Sequence, residues 1–217
     1  MEFMHRFIDG SRYQRIFVIG DIHGKLALLQ DTLKRVDFHG ERDLLISVGD
    51  LIDRGPDSVG VLDYYQTHHW FEAVMGNHEW MMVNALDAQN KLERSEKEAY
   101  FIKIWHRNGC EWSQNLTDAD KQRLRDAVAQ LPSVITVELE DGRRFGISHA
   151  QPHSLDWNEM IDWQGDMWDN PRSKGVKRVA NSLFIDTASN DDYQGAFSLY
   201  ELRTGEVFVG VKQSVLV

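Results

Sequence analysis

The residue pattern predicts an α/β fold in which two mixed β-sheets pack face to face and are flanked by helices. The first half of the chain repeats three times a short apolar run, a polar turn and a helical stripe, as a parallel βαβαβ unit does. The second half is built of short runs at hairpin spacing, which signals antiparallel pairing. Two sheets of this kind bury their apolar faces on one another. With 217 residues, 42% of them hydrophobic and 27% charged, the chain suffices for one domain over residues 1–217.

The elements follow in order. Residues Met1 to Gln14 show no clear period and end in the turn Asp9-Gly10-Ser11. Arg15 to Ile19 reads as a buried strand, and Leu26, Leu29, Leu33 and Val36 place a helix over Lys25 to Val36. Leu44 to Val48 is a second strand, after which Pro56 is expected to open a helix carrying Val59 and Leu62. A third apolar run covers Trp70 to Met75. The polar, Lys- and Glu-rich stretch Ala85 to Trp112 is expected to supply one helix of a cap over about 85–131, not a separate domain, with its tryptophans serving as packing. Thr117 is a candidate N-cap for a helix buried through Leu124, Val128 and Leu131, which Pro132 ends. Val134 to Leu139 and Arg144 to Ser148 form a hairpin across Glu140-Asp141-Gly142, and Leu183 to Ile185, Phe197 to Leu202 and Val207 to Val211 are the remaining strands.

A formal charge of -10 argues against nucleic acid as a partner, because binding to its backbone needs a basic face. The single cysteine, Cys110, cannot form an internal disulfide, which points to a reducing compartment. Neither a leader-like segment nor an apolar run near membrane-span length is present, so a cytoplasmic location without membrane contact is expected.

Chemistry concentrates where the apolar runs stop. Gly20-Asp21-Ile22-His23-Gly24 follows the first strand, and its alternate spacing would place Asp21 and His23 on one side of an extended segment, an oxygen and a nitrogen ligand suited to a divalent transition metal. Taken alone it reads equally well as a turn whose Asp caps the next helix. The odds change with Gly49-Asp50-Leu51-Ile52-Asp53-Arg54-Gly55 after the second strand, Gly76-Asn77-His78-Glu79 after the third and Ser148-His149-Ala150 after a later one, because strand ends of one α/β sheet converge on one rim.

This ordered set resembles the calcineurin-like metallophosphoesterases, within them the serine/threonine protein phosphatases of bacteria and phage typified by that of bacteriophage lambda. The resemblance spans nearly the whole chain and implies a four-layer sandwich of two sheets under helices. It further implies a phosphomonoester hydrolase acting on phosphorylated proteins or peptides by in-line attack of water activated by two divalent metals. Asp21 and His23 match ligands of the first metal, Asp50 the carboxylate bridging both, and Asn77 and His149 ligands of the second. His78 matches the general acid, Asp53 the group orienting it, and Arg54 a phosphate-binding arginine, with Arg172 a less regular match to a second. Glu79 has no ligand role in the family and is expected to complement a helix N-terminus. Manganese is the favoured ion by resemblance, with Zn, Fe or Ni also compatible with the donors.

The chain departs from the pattern in one place. Such phosphatases carry a strand ending in Gly-His before the closing Ile-Asp-Thr, and that histidine completes the first metal site. Here no histidine follows His153, and the stretch from Pro171 to Val179 is short of the pattern by roughly 25 residues, far more than a short connection varies. Two further readings stand beside the protein phosphatase: a diadenosine polyphosphate hydrolase, which shares the Gly-Asp-x-His-Gly motif but whose third motif typically ends in Asp where this chain has Glu79, and, because of the missing Gly-His, a binding protein with an incomplete first metal site.

Overall fold

The computed structural model describes residues 4–150, 177–179, 182–184 and 197–209. In chain order the elements are β1 (His5–Asp9), β2 (Arg15–Ile19), α1 (Leu26–Arg35), β3 (Asp43–Ser47), α2 (Ser58–Thr67), β4 (Phe71–Ala73), α3 (Asn77–Gln89), α4 (Glu96–His106), a 3-10 segment Cys110–Asn115, α5 (Asp118–Val128), β5 (Val134–Glu138), β6 (Arg144–Ser148), β7 (Lys177–Val179), β8 (Ser182–Phe184), β9 (Ser198–Glu201) and β10 (Val207–Val209). A five-stranded sheet runs β10-β9-β2-β3-β4 and a three-stranded sheet runs β1-β5-β6, while β7 and β8 pair with each other.

Both larger sheets are mixed. β2, β3 and β4 are parallel, whereas β9 lies antiparallel to β2, with Phe17 opposite Glu201, and β10 antiparallel to β9. β1 runs parallel to β5, which is antiparallel to β6. The sheets thus do not divide the chain into halves, as the pattern suggested: the C-terminal strands complete the first sheet and an N-terminal strand completes the second. β1 escaped sequence reading because it is a half-exposed edge strand, with Phe7 73% exposed, so no buried face imposes an alternation.

Alternation within β2 and β3 builds the layers. Phe17, Ile19 and Leu45 join α1, α2, α3 and α5 in one core through residues such as Leu29, Leu62, Met82 and Leu124. Ile16, Val18, Leu44 and Ile46 join Ile135, Val137 and Ile147 of the three-stranded sheet in the other. The five-stranded sheet is therefore covered by helices on one face and by the second sheet on the other, which is why its parallel strands read as unbroken apolar runs. Helices, sheet and sheet thus stack as the expected α/β sandwich.

Local signals account for most helix boundaries. Thr117 caps α5 as expected, accepting from the Asp120 amide, and Ser95 with Glu98 forms a capping box on α4. Pro56 does not open α2; the helix starts at Ser58 under Asp57, which accepts from the Gly60 amide. The cap stretch holds two helices instead of one, because α3 continues from the third motif to Gln89 before α4 begins at Glu96, and Trp80 meets Phe101 edge to face where they pack. No described helix is long and apolar enough to cross a membrane.

At the base of the sheet, the fully buried Asp43 accepts from the Arg15 guanidinium and from the His39 amide at 2.9 Å, tying β3 to β2 and to the loop after α1. Asp43→Ala leaves that guanidinium without its counter-charge and should lower the unfolding free energy by about 3 kcal/mol, read by urea denaturation.

Candidate active site

The loops after β2, β3 and β4 leave the same edge of the parallel sheet, and the loop after β6 meets them from the facing sheet. They bring together Asp21, His23, Asp50, Asn77, His78 and His149, all buried except the half-buried Asn77. Asp50 is central: its carboxylate lies 3.7 Å from His23 Nε2, 3.8 Å from His78 Nε2 and 3.5 Å from His149 Nε2, and accepts the His78 amide at 3.0 Å. Asp21 lies 3.8 Å from His23 Nε2 and 3.9 Å from His149 Nδ1. Asn77 Oδ1 is 2.8 Å from His149 Nε2.

The first motif achieves this by a turn and not by an extended segment. His23 has φ 45°, and the amides of Ile22 and His23 both donate to the Asp50 carbonyl, at 3.0 and 2.8 Å. Nor does Asp21 cap α1, whose N-cap residue is Lys25 and has no side-chain cap bond. Of five non-glycine residues at positive φ among the described residues, four lie in these loops: His23, Asp50, Asp53 and Arg54. Such strain persists only where neighbours fix it. Gly76 allows one close approach, since a Cβ there would come within 2.3 Å of the Asp50 amide nitrogen.

The donor chemistry fits divalent cations. His23 Nδ1 lies 2.9 Å from the Ile52 carbonyl and His149 Nδ1 2.8 Å from the Val48 carbonyl. A carbonyl only accepts, so each Nδ1 carries a hydrogen; His23 Nε2, which accepts from Arg54, turns its lone pair toward the cluster, and His149 Nε2 faces the cluster beside the Asn77 side-chain amide. Burial pushes the His23 pKa down to about 3, so this imidazole is neutral and ligand-competent. Burial would raise the Asp50 pKa, yet the imidazoles of His149, His78 and His23 hold it below the ordinary carboxylate range. Two overlapping groups, His23, Asp50 and His78 and then Asp21, Asp50 and His149, each keep their ligand atoms within 4.8 Å of one another and share Asp50. Imidazole nitrogens beside carboxylate oxygens suit first-row divalent metals.

Three further residues surround this cluster. His78 Nδ1 is 2.7 Å from Asp53 Oδ2, both side chains being fully buried, and among the described residues His78 Nε2 has no hydrogen-bond partner. Burial would lower the His78 pKa, but the carboxylates of Asp50 and Asp53 raise it above the ordinary imidazole value. Burial raises the pKa of Asp53 against the opposing effect of its bonds to His78 and Trp112. Arg54 is exposed and, among the described residues, pairs with no acid; its Nη1 donates to His23 Nε2 at 3.0 Å. Arg172 and the Gly-His gap before Lys177 lie outside the described residues.

Sequence reading underestimated two features. Glu79 does complement the start of α3, accepting from the Gly76 amide at 3.0 Å, but its carboxylate also accepts from the amides of Asp50, Leu51 and Ile52 at 2.8, 2.7 and 3.2 Å. Burial and the Asp50 charge push its pKa up, against the bonds from these amides, which favour the ionised form. The tryptophans of the cap are not packing alone. The indoles of Trp105 and Trp112 donate to Asp53, at 3.1 and 2.7 Å. The buried-strand and glycine signals around each motif carry no trace of these contacts, which span 52 and 59 residues.

The calcineurin-like phosphoesterase family model matches residues 14–191, a range that includes all of these site residues. The chain belongs to the calcineurin-like phosphoesterase family. Among curated relatives of this phosphoesterase, serine/threonine-protein phosphatase 2 of Escherichia coli K12 is 36% identical over 90% of this chain and 96% of its own length. Its namesake in Salmonella typhimurium is 33% identical over 77% of this chain and 73% of its own length. A symmetrical bis(5'-nucleosyl)-tetraphosphatase of Shewanella baltica is 38% identical over 75% of this chain and 62% of its own length. The crystal structure of a proposed diadenosine tetraphosphatase shares the fold, with a TM-score of 0.60 over 97% of this chain and 99% of that one at 19% identity. The E. coli alignment extends over 231 positions, more than the 217 residues here, so this phosphoesterase is gapped against that relative.

Glu79→Gln keeps the side-chain length but turns an NH2 toward amide donors. It should destabilise the fold by about 2 kcal/mol, the cost of buried donors left unpaired, measured by urea denaturation of the metal-free protein.

Proposed function

We propose that this phosphoesterase removes phosphate from phosphoserine and phosphothreonine in proteins, using two divalent cations. The observation that carries the reading is the buried Asp53–His78 pair set beside the Asp50 cluster with His78 Nε2 turned inward. A serine or threonine oxygen leaves badly unless it is protonated, and a positioned imidazolium supplies that proton. The two relatives that are protein phosphatases by name support the same reading.

Asp21, His23 and Asp50 would hold one cation, and Asp50, Asn77 and His149 the other. Bound there, the cations would offset charge on the phosphoryl oxygens and lower the pKa of an attacking water. Arg54, on the exposed rim beside His23, would pair its fork with phosphate oxygens and draw an anion to a chain of net charge -10. As the bond from phosphorus to the seryl oxygen breaks, its electron pair stays on that oxygen, which takes the proton from His78 Nε2. Asp53 holds the Nδ1 hydrogen throughout. The attacking water gives its oxygen to phosphorus and releases a proton, leaving phosphate and the free hydroxyl. Manganese is the ion we favour, in a cytoplasmic setting consistent with one buried cysteine.

Hydrolysis of dinucleoside polyphosphates is the second reading, favoured by the 38% identical tetraphosphatase. Its leaving group is itself a phosphate and needs protonation less, which is why the His78 geometry speaks for the protein phosphatase. Side-by-side turnover of a phosphoserine peptide and diadenosine tetraphosphate with added Mn separates the two. A higher kcat/KM on the phosphopeptide is expected; the reverse ratio overturns the proposal, and no turnover of either would leave a binding protein.

His78→Asn should lower kcat on the phosphoserine peptide by about 10²- to 10⁴-fold, the usual worth of a general acid, and lower it far less on p-nitrophenyl phosphate, whose phenolate leaves unaided. Equal losses on the two substrates would contradict the role.

A further inference from the structure

Asp53 draws the cap into the reaction chemistry. Its carboxylate is fully buried, and among the described residues its side-chain partners are His78 and two indoles. Trp112 Nε1 donates to Oδ1 at 2.7 Å, and Trp105 Nε1 sits between the oxygens, 3.3 Å from Oδ1 and 3.1 Å from Oδ2, while Oδ2 also faces His78 Nδ1 at 2.7 Å. A buried carboxylate deprived of water stays charged and oriented only if donors replace its hydration. An indole N–H is suited to this task because it only donates. It can neither take the His78 proton nor bring a positive charge that would compete with the imidazole for Asp53.

The same segment grips the neighbouring residue. Between the two tryptophans, the Gly109 carbonyl accepts the Arg54 amide at 3.2 Å, and Gly109 itself has φ 98° and would bring a Cβ within 2.7 Å of that amide nitrogen. Asp53 and Arg54 have φ 69° and 66°, so two consecutive residues in left-handed conformation are held from residues 105–112. The rings cross at 81° with centroids 6.4 Å apart; Trp105 is 1% exposed, and Trp112 is partly buried.

We infer that Trp105 and Trp112 are positioning residues for the leaving-group step, their indole N–H groups fixing the Asp53 carboxylate so that it holds the His78 ring in register with the departing oxygen. The inference rests on the reading of His78 given above. It makes the cap segment 105–112 a determinant of which leaving groups the site can expel, a role that neither ring's packing would give it.

The test removes the N–H and keeps the shape. In the full-length protein, the Trp112 indole, and separately that of Trp105, is exchanged for a benzothiophene ring by incorporation of β-(3-benzothienyl)alanine, with Trp112→Phe as a second variant and urea melts to establish folding. With Mn present, kcat on a phosphoserine peptide should fall about tenfold or more, within the range ascribed to general-acid catalysis, while KM stays within about twofold and the loss on p-nitrophenyl phosphate is several-fold smaller. In the metal-free protein, the Trp105 and Trp112 Nε1–H resonances should move upfield on Asp53→Asn. Equal losses on both substrates, no loss at all, or resonances indifferent to Asp53→Asn overturn the inference, provided His78→Asn shows its leaving-group dependence. If His78→Asn shows none, the His78 reading fails first and this inference falls with it.

Discussion

A single carboxylate holds the second motif in a shape it would not otherwise keep. Glu79, from the first turn of α3, accepts three consecutive amides of the loop after β3 while also closing its own helix start. That loop carries Asp50, Asp53 and Arg54 at positive φ, a conformation costing non-glycine residues on the order of 1–3 kcal/mol each. Three successive amides pointing at one acceptor cannot be satisfied by a strand or a helix, so the loop is fixed by its neighbours. The first motif leans on it through the Asp50 and Leu51 carbonyls, and the fourth through the bond of His149 to the Val48 carbonyl. Whatever holds residues 48–54 therefore holds every metal-ligand candidate in place.

The parts of this arrangement that sequence displays are those with a local cause. Asp21, His23, Asp50, Asn77 and His78 could be picked out because each follows a buried apolar run, and a parallel sheet delivers the ends of such runs to one rim; His149 follows the half-exposed antiparallel β6 and is legible only as a histidine at a strand end. Periodicity reports contacts a few residues away and the side of an element that is buried. It is silent about β1, whose half-exposed edge leaves no alternation, and about the exchange of strands between the chain's two ends. It is equally silent about Glu79 reaching back to Asp50 and about Trp105 and Trp112 reaching Asp53, where the partners are separated by about 30 to 60 residues and the polar atom of each side chain matters more than its hydrophobicity.

Electrostatics of the site differ from those of the molecule. The chain is acidic overall, yet at the rim the exposed Arg54 stands above imidazoles kept neutral or paired with buried carboxylates. An anionic substrate meets repulsion at long range and attraction only within a few ångströms of the site. Screening at physiological salt limits the first to about 8 Å, so access depends on close fit more than on steering.

The pairing of β1 with β5 bears on how the chain is assembled during synthesis. β2, β3 and β4 associate through short crossovers and can form as soon as residue 73 has emerged, whereas His5 finds its partner only at Val134 and Phe17 meets Glu201 later still. Until then a nascent sheet shows an unpaired edge at β2, and the helix-free face of that sheet, with Ile16, Val18, Leu44 and Ile46, is bare. Contacts of such long range slow folding, and exposed strand edges invite pairing with other chains. The protein is thus most vulnerable to self-association while still on the ribosome, and chaperone demand in a cell making it should track translation rate more than final abundance.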